Sequence, residues 1–124
     1  MNKKKILLIE DEPNVLYMMK EMLEILNCEV TVATLGEQAV DISRAQFFDF
    51  YFVDIVMPDM NGFEVIEKMM EKEILSKIVV TSGSLDKNNL KKAREIGIEN
   101  FLAKPIKMYD LEKFFKQKSL EDNT

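Results

Sequence analysis

The 124-residue chain has the size of one domain, and its 47% hydrophobic and 31% charged residues are an ordinary globular balance. The net charge of −5 argues against nucleic acid as a direct partner, and the absence of histidine removes the commonest metal ligand and the usual general base near neutral pH. A single cysteine excludes an internal disulfide and no apolar run is long enough to span a bilayer, so we expect a cytoplasmic protein.

Short apolar runs of strand length alternate with helical apolar periodicity along the chain. Pro13 suits the first turn of a helix, whereas Asp86 and Gly97 suit the beginning and the end of another. The pattern predicts, in chain order, strand 5–9, helix 13–26, strand 29–33, helix 36–46, strand 50–53, helix 63–73, strand 78–81, helix 86–96, strand 100–103 and helix 108–116.

Five strands that alternate with five helices predict an α/β fold with a parallel sheet covered on both faces. No repeat, low-complexity stretch or linker divides the sequence. We therefore expect one domain over residues 1–118 and a polar tail over residues 119–124.

Polar residues gather where the predicted strands end. Glu10 and Asp11 follow the first strand, and three further strands close on Asp54, Thr81 and Lys104. Ligand sites of open α/β sheets lie outside the carboxyl ends of the strands. Taken singly, Asp11 could cap the helix after it, Thr81 could be an ordinary strand residue and Lys104 a surface lysine. Their coincidence at one sheet edge favours a site.

Three carboxylates held together repel one another, so their pKa values would rise unless a cation were present. Oxygen ligands favour magnesium, whose remaining positions are often filled by water and phosphate oxygens. Lys104 adds a positive charge, Thr81 adds a hydroxyl donor and Asp54 offers a nucleophile. This combination suits a transferring phosphoryl group, whose charge lies on its equatorial oxygens.

Four segments carry a resemblance to a known family. In their order and spacing they resemble the response-regulator receiver domains of two-component signalling, the CheY-like family, over about residues 4–117. The segments are ILLIEDEP at 6–13, FVDIVMPDMNG at 52–62, VVTSG at 79–83 and FLAKPI at 101–106.

The resemblance implies a flavodoxin-like, doubly wound sheet with strand order 2-1-3-4-5 and a cis peptide between Lys104 and Pro105. It implies that Asp54 is the phosphoacceptor and that the cofactor is Mg²⁺ or Mn²⁺. The other implied site residues are Asp11 as a direct metal ligand, Glu10 acting mainly through water, Val56 through its backbone carbonyl, Thr81 and Lys104 on the phosphoryl oxygens, and Phe101 as the aromatic switch partner of Thr81.

The resemblance also implies the partners. The donor would be a phosphohistidine on a sensor histidine kinase or a phosphotransfer protein, and this chain has no histidine of its own. The phosphorylated domain would be a signalling switch rather than a turnover enzyme. An unknown downstream protein would bind it on the face of helix 4, strand 5 and helix 5. A solvated helix face is the equal alternative for its residues, which are Leu90, Lys91, Arg94, Phe101, Ala103 and Lys107.

Several positions depart from the commonest family pattern. The acidic pair begins with Glu10 rather than aspartate, Phe101 lacks a tyrosine hydroxyl, and Ser82 stands where a smaller alanine is common and is expected to narrow phosphoryl access slightly. Val56 and Gly83 lack the polar side chains that can influence a hydrolytic water. We therefore expect slow self-dephosphorylation.

Other functions remain open. The chain could be a receiver cut from a hybrid histidine kinase or a longer regulator. An aspartate-nucleophile phosphatase would need a second aspartate where Val56 stands, and a flavin-binding module would need a hydroxyl-rich and glycine-rich loop where the sequence has Glu-Asp-Glu-Pro. The intact Asp54, Thr81 and Lys104 argue against an unphosphorylated interaction domain.

Overall fold

The computed structural model describes residues 3–69 and 72–122. All ten predicted elements are confirmed in type and order. They are β1 (Lys4–Ile9), α1 (Pro13–Ile25), β2 (Cys28–Ala33), α2 (Gly36–Ala45), β3 (Phe50–Asp54), α3 (Gly62–Met69), β4 (Ile78–Ser82), α4 (Lys87–Ile96), β5 (Asn100–Ala103) and α5 (Met108–Asp122).

The predicted third helix, 63–73, is wrong at residues 72 and 73. α3 ends at Met69, and a 3₁₀ helix over Lys72–Lys77 leads into β4, while residues 70 and 71 lie outside the described part of the chain. Ile74 in the 3₁₀ helix is buried, so this connection also contributes to the core.

The last helix is longer than predicted. α5 continues to Asp122, so residues 119–122 of the expected tail are helical, and residues 123 and 124 lie outside the description. An ion pair between Lys118 and Glu121 at 3.1 Å joins residues three positions apart in this extension. Among the described helices, none is both long and apolar enough to cross a membrane.

The five strands form one parallel sheet in the order β2-β1-β3-β4-β5, as expected. Its register pairs Ile9 with Val53 and Asp54 with Thr81. The carboxyl ends of the three central strands therefore meet at one edge, and each is followed there by a loop that leads to a helix.

Alternate residues of the buried strands enter two cores, one on each face of the sheet. On one face Leu7, Val53 and Val80 pack with residues of α2, α3 and α4. On the other, Leu8 and Phe52 pack with residues of α1 and α5. The central strands are thus packed on both faces, and the residues at their carboxyl ends extend from this buried part of the sheet.

Capping residues define where two helices begin and one ends. The Asp86 carboxylate accepts the Asn89 N–H at 2.9 Å, and Gly97 ends α4 with a left-handed φ of 107°, as the sequence predicts. The alternative of Asp11 as the cap of α1 is wrong. Glu12 caps that helix by accepting the Val15 N–H at 2.8 Å, so Asp11 has no capping role there.

Candidate functional site

Asp54 is the last residue of β3, and its side chain is buried at the edge where the central strands end. The Val56 N–H donates to Asp54 Oδ1 at 3.0 Å, so the residue after next fixes one carboxylate oxygen. Thr81 lies beside Asp54 on β4 and is buried as well, and the Ile55 N–H donates to the Thr81 carbonyl at 3.2 Å. The sheet thus brings an acid and a hydroxyl together from two separate segments.

Three acids meet at this edge. One carboxylate oxygen from each of Glu10, Asp11 and Asp54 lies within 4.8 Å of the others. Glu10 and Asp54 are buried, whereas Asp11 is exposed, so the cluster has one side open to solvent. Hard oxygen donors in such a group fit Mg²⁺ or Mn²⁺.

Lys104 connects two of these acids. Its Nζ lies 2.6 Å from Glu10 Oε1 and 2.9 Å from Asp54 Oδ2. Its backbone N–H donates to the Ser82 carbonyl at 2.8 Å, and its peptide bond to Pro105 is cis, as expected. The end of β5 therefore holds the ammonium group against β1 and β3, where it compensates two carboxylates that would otherwise be costly to bury.

Burial and hydrogen bonding have opposite effects on the pKa values of Glu10 and Lys104. Burial raises the pKa of Glu10, although the hydrogen bonds from Lys104 and from the Glu12 amide oppose it. Burial by itself would lower the pKa of Lys104, but the hydrogen bonds to Glu10 and Asp54 outweigh it and the pKa is raised. Both oxygens of Glu10 face donors, namely Lys104 and the amides of Asp11 and Glu12. We therefore assign Glu10 as a carboxylate near neutral pH.

Gly62 packs against the backbone of Asp54 and Ile55. The sequence predicts Gly62 only as part of a turn and gives no sign of this contact. A β-carbon at Gly62 would clash with the Asp54 carbonyl oxygen and would lie 2.7 Å from the Ile55 Cα. The Gly62 N–H donates to the Ile55 carbonyl at 2.7 Å. Only glycine permits α3 to begin this close to the backbone of Asp54.

The hydroxyl of Ser82 is engaged inside its own loop. It donates to the Ser84 carbonyl at 3.1 Å and accepts the Ser84 N–H at 2.9 Å. Ser82 is buried directly after Thr81. Its effect on phosphoryl access stays a prediction, and these partners show that its hydroxyl organises the turn into α4.

Phe101 lies in the middle of β5, half-buried, beside Val80 rather than beside Asp54. The Arg94 guanidinium lies 6.0 Å from the centre of its ring, so α4 and β5 are in contact here. Of the other residues predicted for this face, Leu90 is half-buried, and Lys91, Arg94, Ala103 and Lys107 are exposed. The positions are accessible to a partner, as the prediction requires, while their role remains untested.

Comparison with known proteins identifies relatives that match most of this chain. A family model described as the response regulator receiver domain matches residues 6–116. The chain is 30% identical over 121 residues to the hybrid signal transduction histidine kinase L of Dictyostelium discoideum, a match that covers 91% of this chain and 7% of that one. Three further curated relatives are matched over 53%, 58% and 44% of their length. The chain thus corresponds to only a part of these proteins.

Solved structures share the complete fold. A CheY-like receiver domain protein from Methanospirillum hungatei JF-1 has a TM-score of 0.87 and 27% identity, covering 98% of this chain and 97% of that one. The receiver domain of the sensor histidine kinase PA1611 from Pseudomonas aeruginosa PAO1 has a TM-score of 0.82 and 25% identity, covering 93% and 96%, and carries a magnesium ion coordinated in its active site cleft.

Proposed function

The chain belongs to the response regulator receiver domain family of two-component signalling, and on that premise we propose that Asp54 accepts a phosphoryl group from a phosphohistidine on a partner protein. The proposal rests on one arrangement. Asp54 is buried with one oxygen bound to the Val56 amide and the other to Lys104, beside the carboxylates of Glu10 and Asp11. The chain contains no histidine, so the phosphohistidine lies outside these 124 residues, on a sensor histidine kinase or a histidine phosphotransfer protein.

The donor set fits a divalent cation, Mg²⁺ or Mn²⁺. Asp11, Asp54 and the backbone carbonyl of Val56 would hold it, with Glu10 acting mainly through water. Such a cation supplies positive charge against the phosphoryl oxygens. The oxygen donors gathered at Glu10, Asp11 and Asp54 support this assignment, as does the magnesium in the PA1611 receiver.

The chemical step is an in-line displacement. A carboxylate oxygen of Asp54 forms a bond to phosphorus while the bond from phosphorus to the donor imidazole nitrogen breaks, and the electron pair of that bond leaves with the imidazole. Lys104 and the Thr81 hydroxyl bind the equatorial oxygens, on which the transferred charge lies. The rest of β3 is packed into the cores on the two faces of the sheet, and this packing holds Asp54 at its end in position for the attack.

The acyl phosphate then acts as a switch. The phosphoryl group carries roughly 1.5 to 2 negative charges near pH 7 and replaces the single charge of the carboxylate. Thr81 moves towards it, and Phe101 repacks into the space that Thr81 leaves. A shift of the active and inactive conformations from 1:99 to 99:1 needs about 5.5 kcal/mol of differential stabilisation. A few charge-assisted hydrogen bonds to the phosphoryl group supply that free energy. The face of α4, β5 and α5 changes as a result and binds a downstream protein differently.

Two contexts fit this function. The chain acts as an independent regulator, or as the receiver part of a hybrid kinase or longer regulator, as in the Dictyostelium relative. In either context the domain is a switch rather than a turnover enzyme. Its phosphoryl group is lost slowly, since Val56 is exposed and apolar and Gly83 has no side chain with which to orient a hydrolytic water.

The decisive experiment is phosphorylation by a small phosphodonor such as acetyl phosphate, read by intact mass. We expect one phosphoryl group per chain in the presence of Mg²⁺, little with a chelator, and none on Asp54→Asn. Labelling that persists in Asp54→Asn would overturn the assignment. Continuous turnover of a generic aryl phosphate would favour a phosphatase instead.

A further inference from the structure

Helix α2 has no N-terminal cap of its own. Its N-cap residue, Leu35, makes no side-chain capping hydrogen bond. The Asp59 carboxylate takes that place from 23 residues further along the chain, accepting the Gly36 N–H at 2.7 Å and the Glu37 N–H at 3.1 Å. These bonds lower the pKa of Asp59, the one from Gly36 most. An anion at a helix N-terminus is a favourable arrangement, and here it joins two distant segments.

Asp59 lies in the middle of the loop between β3 and α3. One end of that loop is held by the Val56 N–H on Asp54, and the other by the Gly62 N–H on the Ile55 carbonyl. The bonds to α2 form a third point of attachment between them. The loop therefore has its middle fixed to α2 by Asp59.

The residues beside Asp59 also pack closely against the first turn of α2. A β-carbon at Gly36 would lie 2.8 Å from the sulfur of Met60 and 2.9 Å from a methyl group of Val65. The N-terminus of α2 thus rests directly on the segment that follows Asp59. The two hydrogen bonds of Asp59 therefore join this loop to the first turn of α2.

We propose that Asp59 is a positioning residue for the divalent cation. It holds the loop, and with it the backbone carbonyl of Val56, in the place that metal binding requires. The inference rests on the proposed function, because Val56 is a metal ligand only under that proposal. The rival explanation is that Asp59 stabilises α2 and has no effect on the metal.

The two explanations are separated by supplying α2 with a local cap. Leu35 is extended, with φ −129° and ψ 147°, and is 46% exposed, so a serine fits there and its hydroxyl can accept an amide of the first turn. The matched pair is Leu35→Ser and Leu35→Ser with Asp59→Ala. In both variants the serine caps α2. They differ only in whether Asp59 can bond the first turn of α2 to the loop between β3 and α3. Glu37→Gln removes a charge from the same helix end and leaves the Asp59 bonds intact.

Affinity is measured from the loss of the free Mn²⁺ electron paramagnetic resonance signal, with Mg²⁺ as the competitor. We expect Leu35→Ser and Glu37→Gln to bind as the unmodified chain does. Adding Asp59→Ala to Leu35→Ser should weaken binding by about tenfold, the lower end of the cost of losing an outer-shell partner. Urea midpoints should be close for the two Leu35→Ser proteins, which shows that stability does not cause the loss.

A second measurement uses reciprocity, since Asp59 and the cation must influence each other equally. Mg²⁺ should slow amide hydrogen exchange at Gly36 and Glu37 in the unmodified chain. Equal metal affinity in the matched pair, or exchange at both amides that ignores Mg²⁺, overturns the inference. Failure of the unmodified chain to bind either cation would instead refute the proposed metal site, so the two failures are distinguishable.

Discussion

Lys104 is the residue whose loss tests the electrostatics of the site most directly. Lys104→Met removes the ammonium group while keeping most of the unbranched side chain. The side chains of Glu10 and Asp54 are 3% and 6% exposed, and the lysine itself is 18% exposed, so water replaces little of the lost charge. The variant therefore leaves two buried carboxylates without their shared cation.

The expected loss of folding stability depends on the hydrogen bonds that each carboxylate keeps in Lys104→Met. Removing one partner of a buried ion pair costs about 3–5 kcal/mol. Glu10 still accepts the amides of Asp11 and Glu12, and Asp54 still accepts the Val56 amide. We therefore expect the lower end, about 3 kcal/mol. At about 4 °C per kcal/mol for a domain of this size, this lowers the Tm by roughly 12 °C.

The assay is urea and thermal unfolding followed by circular dichroism at pH 7, with a chelator present. Lys107→Met is the matched control, because Lys107 is exposed and carries the same substitution. Added Mg²⁺ should recover part of the stability of Lys104→Met, since a divalent cation can neutralise the same carboxylates. Equal midpoints for the two variants would refute the argument that Lys104 compensates the buried acids.

Three further predictions concern the core, the thiol and the lifetime of the phosphoryl group. Leu111→Ala should cost about 2–5 kcal/mol in urea unfolding because Leu111 is fully buried, whereas Leu120→Ala, 60% exposed on the same helix, should cost almost nothing; equal losses would contradict the assigned face of α5. Burial raises the pKa of Cys28 to about 11. The thiol has an ordinary pKa of 9.0, so it ionises first in the unfolded chain as pH rises from 9.0 to about 11. The chain should therefore lose stability over that window, and Cys28→Ala should not share this loss in unfolding titrations. Val56→Asn should shorten the lifetime of phosphorylated Asp54 by about tenfold, because an amide there can orient the attacking water, and an unchanged decay of the phosphorylated mass would refute that role.

Much of the fold follows from local sequence. Apolar runs of strand length, separated by helical periodicity, require a parallel sheet, and a parallel sheet brings the carboxyl ends of its central strands to one edge. Glu10, Asp54 and Thr81 could therefore be assigned to one site without coordinates. The sequence also predicts Asp86 and Gly97 as the caps of α4, because capping depends on residues within one turn of the helix end.

The predicted ends of two helices, α5 and α3, are wrong. Residues 119–122 were expected to form a tail, yet they continue α5. A polar sequence is compatible with an exposed helix, and the Lys118–Glu121 pair supports one here. The predicted helix 63–73 extends beyond the observed end of α3 at Met69, because the chain from Lys72 to Lys77 forms a 3₁₀ helix instead.

The sequence by itself determined the order of the elements, the two-sided burial of the sheet and the edge at which the reactive residues gather, because each depends on periodicity and on near neighbours. Only the tertiary structure decided which groups bind one another there. Lys104 reaches Glu10 across 94 residues and Asp54 across 50, and Asp59 reaches Gly36 across 23. Such partners are selected by distance in the folded chain, and the spacing of residues along a sequence carries no direct measure of that distance.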